Sequence, residues 1–169
     1  MPSPSRTLPF DPISEARRHW DHRWSDGAAM AAATSIMRAQ QIVLARVDDA
    51  LKRFDLTFAR YEALVMLTFS RRGSLPLGKM GERLMIHPTS VTNIVDRLEQ
   101  QGLVRRTGHP TDRRTTLCVI TPAGRRVVAE ATEEVTAVRL GIDGLTDREV
   151  EQLTGLLAKL RRASGDFHA

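Results

Sequence analysis

The chain has 169 residues, of which 41% are apolar and 27% charged, so it has the composition of a globular protein and enough length to bury a core. Its single cysteine, Cys118, excludes an intramolecular disulfide framework and a multi-cysteine zinc site. The sequence has neither an apolar run near the ~18 residues that span a bilayer nor the apolar core of a secretory signal. We therefore expect a cytoplasmic protein that does not associate with membranes.

Basic residues are concentrated in the middle of the chain. Residues 71–126 hold eleven Lys and Arg against four Asp and Glu, a net charge of +7, whereas the remainder carries −2. A basic centre between mildly acidic ends suggests a surface that binds a polyanion. Charge alone equally allows a basic face that is merely solvated.

The first half of the chain is predicted to be helical. Residues 1–26 form an N-terminal extension with one short helix, which Ser14 caps and which runs through Trp24. A stretch without Pro or Gly follows from Ala28 to Phe54, with apolar residues at helical spacing. A helix of this length is about 40 Å long, more than a small domain needs for its own core, so we expect it to pack against a partner chain.

Three further helices are predicted next. Thr57 caps the first of them, and a short helix spans Leu77 to Leu84. After a tight turn, the third begins at Pro88 and runs to Gln101, where Gly102 supplies a left-handed stop. The buried stripe of the first is predicted to comprise Phe58, Tyr61, Leu64, Val65 and Phe69.

The pattern then changes to two strands, Leu103–Thr107 and Thr115–Ile120, around a turn-rich hairpin tip. A helix opens at Pro122, and the last helix begins with the capping box of Thr146 and Glu149. Apolar stripes are predicted on both helices, at Val127, Val128, Ala131, Val135 and Val138 on the first and at Val150, Leu153, Leu157 and Leu160 on the second.

The helix that begins at Pro88 has one apolar and one polar face. Val91, Ile94, Val95 and Leu98 recur at helical spacing, which predicts a buried side. The opposite side and the N-terminal end present Thr89, Ser90, Thr92, Asn93, Asp96, Arg97 and Gln100. Short hydroxyls and an amide at a helix N-terminus suit insertion into a DNA major groove. An ordinary amphipathic helix is the alternative.

The hairpin after this helix favours DNA. Arg113 and Arg114 lie at its tip, where a guanidinium can enter the minor groove beside the helix. Asp112 next to them is interpreted as a strut that holds the neighbouring arginine or the turn. With Arg105 and Arg106, four arginines converge on one ribbon, which a solvated tip does not explain.

Several segments together resemble the MarR family of winged helix-turn-helix regulators. They are Leu56-Thr57, His87–Glu99, Gly102–Arg106, the wing Pro110-Thr-Asp-Arg-Arg114, and Leu117–Gly124 with its Thr-Pro-Ala-Gly end. The resemblance covers about residues 28–162. It implies a mainly α fold with a small β-hairpin wing, in which a winged helix-turn-helix (57–121) joins a helical dimerisation region (27–56 and 122–169).

The resemblance also implies a function. It implies a homodimer that binds a pseudo-palindrome in double-stranded DNA, represses a neighbouring operon and is released by a small-molecule effector. Carried over by position, Thr89, Ser90, Thr92, Asn93 and Arg97 would contact the major groove. Arg114, with Arg113 beside it, would enter the minor groove, and Asp112 would be the strut.

The effector is expected to be a planar anionic aromatic or acyl compound. A cleft beside the helix that Thr57 caps would be lined by Phe58, Tyr61 and Val65, with Phe69 and arginines nearby. Similarity to family members that sense urate or related anions adds Trp20 and Glu62, but Ile94 replaces the arginine of those relatives, which argues against urate. The alternative is that Trp20 and Trp24 only pack in a dimer interface.

Other classes of function have less support. The sequence contains no nucleophile elbow, phosphate loop, paired carboxylates or metal-ligand spacing, so neither an enzyme nor a cofactor or metal is predicted. Cys118 lies between Leu117 and Val119 on a strand and is interpreted as a small buried residue rather than a redox sensor. The main alternative function is an architectural DNA-binding protein without ligand response.

Overall fold

The computed structural model of the chain describes residues 8–112 and 114–168, and these divide into two units, up to residue 45 and from residue 46. Seven α-helices and three strands form within the described residues. They are α1 Pro12–Asp21, α2 Gly27–Leu51, α3 Phe58–Phe69, β1 Ser74–Pro76, α4 Leu77–Leu84, α5 Pro88–Gln100, β2 Val104–Gly108, β3 Thr116–Ile120, α6 Pro122–Ala137 and α7 Asp147–Ala163. The predicted mainly α fold with a small β wing is confirmed. None of the described helices is both long and apolar enough to cross a membrane.

The first unit contains α1 and most of α2. Asp11, not Ser14, caps α1, because its carboxylate accepts the backbone N–H groups of Ile13 (3.0 Å) and Ser14 (3.3 Å). The Ser14 hydroxyl itself donates to Asp11. Pro12 occupies the first helical position, where its missing N–H costs nothing. The helix ends at Asp21, three residues before the predicted Trp24.

The junction between α2 and α3 is tighter than the sequence predicts. The α-helix ends at Leu51, and a 3-10 turn covers Lys52–Phe54 before Asp55 adopts a left-handed φ of 52°. Thr57 lies at the predicted cap position of α3, but its side chain makes no capping bond. The carboxylate of Asp48 accepts the N–H of Phe58 instead, at 2.6 Å, so α2 caps α3.

The sheet has three antiparallel strands in the order β1-β3-β2. β2 pairs with β3 from Val104 opposite Ile120 to Gly108 opposite Thr116, close to the predicted hairpin. β1, which the sequence analysis missed, pairs Leu75 with Cys118. Three residues ending in proline leave no alternation to detect.

Short-range caps order the end of the sheet. The Thr121 hydroxyl accepts the N–H of Gly124 at 3.0 Å and opens α6. Gly124 is required there, since the Cβ of any other residue would lie 2.1 Å from the carbonyl oxygen of Leu103. The predicted capping box of Thr146 and Glu149 opens α7.

The core of the second unit packs around α3, α4, α5 and the sheet, and its fully buried side chains include Leu51, Leu64, Leu67, Met80, Val95 and Leu98. Two predicted core positions are wrong: Phe69 is 81% exposed, and Val138 at the end of α6 is 38% exposed. Helix α7 buries none of its residues within the chain. Of its predicted apolar stripe, Leu153 and Leu160 are exposed, and Val150 and Leu157 are half-buried.

Candidate nucleic-acid interface

The start of α5 is fixed by two local features. Met85 takes a left-handed conformation (φ 53°) and turns the chain between α4 and α5. His87 is the N-cap, and its Nδ1 accepts the N–H of Thr89 at 3.3 Å. Pro88 follows at the first helical position. The N–H groups of Ser90 and Val91 are bonded to the carbonyl oxygen of His87, at 2.9 and 3.2 Å. The positive end of the helix dipole, rather than a free N–H group, therefore suits an anion such as a DNA phosphate.

The structure places the five predicted major-groove residues on the exposed side of α5. The buried side consists of Val91, Val95 and Leu98. All five predicted contacts, Thr89, Ser90, Thr92, Asn93 and Arg97, are exposed. Asp96 is half-buried and does not belong with them. These assignments agree in exposure with a groove-facing surface and stay predictions.

At the tip of the wing, Asp112 holds the backbone turn. Its Oδ1 accepts the N–H of Arg114 at 3.0 Å, and its Oδ2 accepts the hydroxyl of Thr115 at 2.6 Å. The bond from Thr115, followed by that from Arg114, lowers the pKa of the Asp112 carboxyl. Arg114 is exposed beside this turn, and Arg113 lies outside the described residues.

A clamp that the sequence analysis missed joins the wing to α5. The Arg106 guanidinium forms salt bridges of 2.6 Å with both Asp96 and Glu99. Glu99 also accepts the backbone N–H of Arg106 at 2.7 Å, which with the guanidinium lowers the pKa of the Glu99 carboxyl. Arg106 was counted among the basic groups of the ribbon, and that interpretation is wrong because two carboxylates neutralise it. The signal was present: two acids three residues apart share one helix face.

Comparison with known proteins identifies this arrangement. The model of the MarR family matches residues 56–116. Sco5413 of Streptomyces coelicolor, a MarR family transcriptional regulator, is 52% identical, with a TM-score of 0.79 over 84% of this chain and 99% of that one. The chain belongs to the MarR family.

Two other proteins extend the comparison. The HTH-type transcriptional regulator MhqR of Bacillus subtilis is 32% identical over 108 residues, which are 63% of this chain and 74% of MhqR. Sco3205 of Streptomyces coelicolor, a MarR family regulator solved in complex with DNA, is 26% identical with a TM-score of 0.75, covering 83% of this chain and 90% of that one.

Within this MarR family chain, part of the predicted effector site comes together between α3 and α6. Tyr61 and Val65 line a cavity of about 300 Å³, together with Phe69 and Arg125. The Tyr61 hydroxyl lies 3.0 Å from that of Thr132. Phe58 and Glu62 are not among the described residues that line this cavity. Glu62 is half-buried, and burial raises the pKa of its carboxyl.

Trp20, the remaining predicted effector residue, belongs to the first unit. Its indole Nε1–H donates to the carbonyl oxygen of Ser25 at 2.8 Å. Its ring packs edge-to-face on Trp24 with 5.0 Å between centroids. The only polar hydrogen of the Trp20 side chain thus closes the local turn. Only the apolar surface of its ring could contact an effector.

Cys118 is fully buried on the inner side of the sheet, as predicted. Burial raises the pKa of its thiol to about 12, and a thiol that stays protonated is a poor nucleophile. The described residues contain no group of three or more His, Cys, Asp or Glu that could hold a metal ion.

Proposed function

We propose that this MarR family regulator is a repressor that binds a pseudo-palindromic operator as a homodimer and is released by a small anionic aromatic or acyl ligand. The observation that carries the proposal is the exposed polar end of α5, joined by the Arg106 salt bridges to a wing with Arg114 at its tip. In this role α5 is a recognition helix, and the wing is held in register with it.

The DNA contacts follow from the chemistry of the exposed groups. Thr89 and Ser90 lie at the N-terminus of α5, where their hydroxyls and the positive end of the helix dipole suit phosphates. Asn93 suits an adenine edge and Arg97 a guanine edge or a phosphate. Arg114, with Arg113, would occupy the minor groove, and Asp112 would keep the tip rigid.

Exposed apolar helix faces support dimerisation. On α7, Leu153, Leu156 and Leu160 are 39%, 68% and 52% exposed. Separately, α2 exposes Met37 and Ile42. Exposed apolar residues at helical spacing of this kind mark interaction surfaces. We assign residues 27–56 and 122–169 to the dimerisation region and 57–121 to the DNA-binding region.

The cavity between α3 and α6 is the best candidate for the effector. It combines an aromatic wall from Tyr61 and Phe69 with the guanidinium of Arg125. An aromatic wall beside one cation favours a planar monoanion of modest size. Such a ligand derepresses only if it binds the DNA-free form more tightly, and a coupling of ~2–3 kcal/mol suffices.

A DNase footprint on the DNA around the protein's own gene tests the proposal. We expect one discrete protected site made of two half-sites about 10 bp apart. Arg97→Ala should remove the protection, and Arg148→Ala, an exposed arginine on α7, should retain it. Uniform coverage of the fragment would instead support an architectural DNA-binding protein. A regulator without effector would give the discrete site but no release by any ligand.

A further inference from the structure

The outer side of the wing sheet forms a groove of about 860 Å³. In β3, Cys118 and Ile120 are buried against the core, so Leu117 and Val119 face the other way. Their partners in the register, Thr107 and Arg105, share this outer side. The groove's other walls come from the end of α3, β1, α4 and the wing residues 108–111. We call it the wing-flank groove.

Four arginines and no acidic residue line the wing-flank groove: Arg71, Arg72, Arg83 and Arg105. All four are exposed, and none forms an ion pair with a described residue. Arg106, one residue from Arg105, points to the other side of the sheet and is paired twice. Although the chain has 20 acidic residues, none of them lines this groove. The groove therefore carries a local excess of positive charge.

The floor of the wing-flank groove is apolar. It is formed by Leu117, Val119 and Pro76, and Phe69 stands at its edge with 81% of its surface exposed. An apolar floor with a cationic rim matches a ligand that has a ring-sized apolar body and a strongly anionic group. Phosphate suits this rim better than carboxylate, because the phosphate dianion carries up to twice the charge and offers three acceptor oxygens to the arginine forks.

We propose that the wing-flank groove binds an amphipathic organic phosphate, a small molecule with an aromatic or aliphatic body and a phosphate dianion. Its volume lies within the ~300–1,000 Å³ of small-molecule sites. A stable protein partner would bury roughly 800 Å² of this chain's surface, so a groove of small-molecule size does not by itself point to one. DNA phosphates would satisfy the arginines but leave Leu117 and Val119 uncovered. The site is separate from the proposed effector cavity, although Phe69 borders both.

Isothermal titration calorimetry of the full chain without DNA tests the proposal, with 1-naphthyl phosphate as the probe. At pH 7.5 this probe is a dianion, since its second pKa lies near 6. We expect affinity to fall from 1-naphthyl phosphate to the monoanion 1-naphthoate, with neutral 1-naphthol weakest. The double variant Arg72→Ala/Arg105→Ala should raise the Kd for the phosphate at least tenfold, because it removes two of the four guanidinium groups that would form charge-assisted hydrogen bonds with it.

Two further variants make the result specific. Val119→Asp places a carboxylate in the floor and should abolish binding, and Arg148→Ala on α7 should leave the Kd unchanged. Thermal melting of each variant checks that it is folded.

Three results would overturn the proposal. They are no heat from 1 mM 1-naphthyl phosphate, equal binding of 1-naphthol, or a folded Arg72→Ala/Arg105→Ala variant with unchanged Kd. If that variant keeps the wild-type Kd for 1-naphthyl phosphate but binds operator duplex more weakly in a separate mobility-shift assay, the groove contacts DNA instead. Because the titration contains no DNA, its outcome is independent of the operator footprint.

Discussion

The carboxylate of Glu99, on α5, accepts both the backbone N–H and the guanidinium of Arg106, on β2, at 2.7 and 2.6 Å. Asp96, one turn earlier, holds the same guanidinium at 2.6 Å. The proposed recognition helix and the first strand of the wing therefore share a charge-assisted network. Since the helix and the wing tip are proposed to enter different grooves, this network fixes the spacing between the two contacts.

Glu99→Ala is expected to lower the free energy of unfolding by about 1 kcal/mol. This is less than the ~1.5–3 kcal/mol of a typical hydrogen bond to a charged group, because the Glu99 side chain is 38% exposed and solvent screens the pair. Operator affinity should also fall, since the wing loses its position. Urea unfolding and operator titration measure the two effects. Glu151→Ala, an exposed acid on α7, is the control, and an unchanged operator affinity for Glu99→Ala would show that the clamp does not position the wing.

The same pair predicts a pH dependence. The pKa of Glu99 is lower in the folded protein than its usual 4.5, so its contribution is complete above the unfolded pKa and is lost as pH falls through the folded pKa. The stability difference between wild type and Glu99→Ala should stay constant from pH 7 to about pH 5.5 and shrink below about pH 4.5. A difference that is unchanged at pH 3 would contradict this.

Asp112 offers a test that separates a structural from an electrostatic role. Asp112→Ala removes the acceptors for Arg114 N–H and the Thr115 hydroxyl and should weaken operator binding, although it removes a negative charge near DNA. Asp112→Asn removes the same charge but keeps an oxygen acceptor for the turn, so it should bind at least as well as wild type. Electrophoretic mobility shift measures both. Tighter binding by both variants would mean that charge repulsion dominates.

Local signals in the sequence are enough to predict most helix starts. Pro88, Thr121 and the pair Thr146–Glu149 act on backbone groups within three residues, so their effect does not depend on the tertiary fold. α1 was different, because Asp11 and Ser14 are both good caps and only the position of Pro12 separates them.

Tertiary pairing could not be predicted in the same way. β1 exists because β3 offers it a ladder, and Arg106 finds Glu99 and Asp96 because of the register between β2 and α5. Phe69 has the right spacing for the core but lies at the end of α3, beyond the last packed turn. The wing-flank groove likewise requires residues from five separate elements, α3, β1, α4, β2 and β3.

Arg114→Ala should weaken operator binding by ~1–3 kcal/mol per half-site and leave the melting temperature nearly unchanged, because the side chain is exposed. The slope of log K against log salt should fall if the contact includes phosphates. Fluorescence anisotropy over a salt series measures both, with Arg148→Ala as the matched control. Equal affinity of Arg114→Ala and wild type would remove Arg114 from the interface.

Leu156→Glu is expected to shift the dimer toward monomer, because it places a charge in the most exposed part of the α7 apolar stripe. Glu151→Lys changes a charge on the opposite side of the same helix and should leave the dimer intact. Light scattering after size exclusion distinguishes the two masses. A monomeric wild-type protein at micromolar concentration would refute the proposed dimer itself.

Arg125→Ala should weaken the response to a planar anion while leaving operator affinity nearly unchanged. Arg125 is the cation of the cavity between α3 and α6, and its guanidinium lies against Gly73. No residue of α5 is among the described residues that line this cavity. We expect salicylate or a related phenolic acid to release wild-type protein from a preformed operator complex, and Arg125→Ala to need at least about tenfold more ligand.

The neighbouring Arg126→Ala is the control, because Arg126 is exposed and does not line the cavity. Fluorescence anisotropy of labelled operator follows the release, and linkage requires operator DNA to weaken ligand binding by the same factor. Release of Arg125→Ala at the wild-type concentration would place the effector elsewhere, and no release of wild type by millimolar ligand would exclude this class of anion.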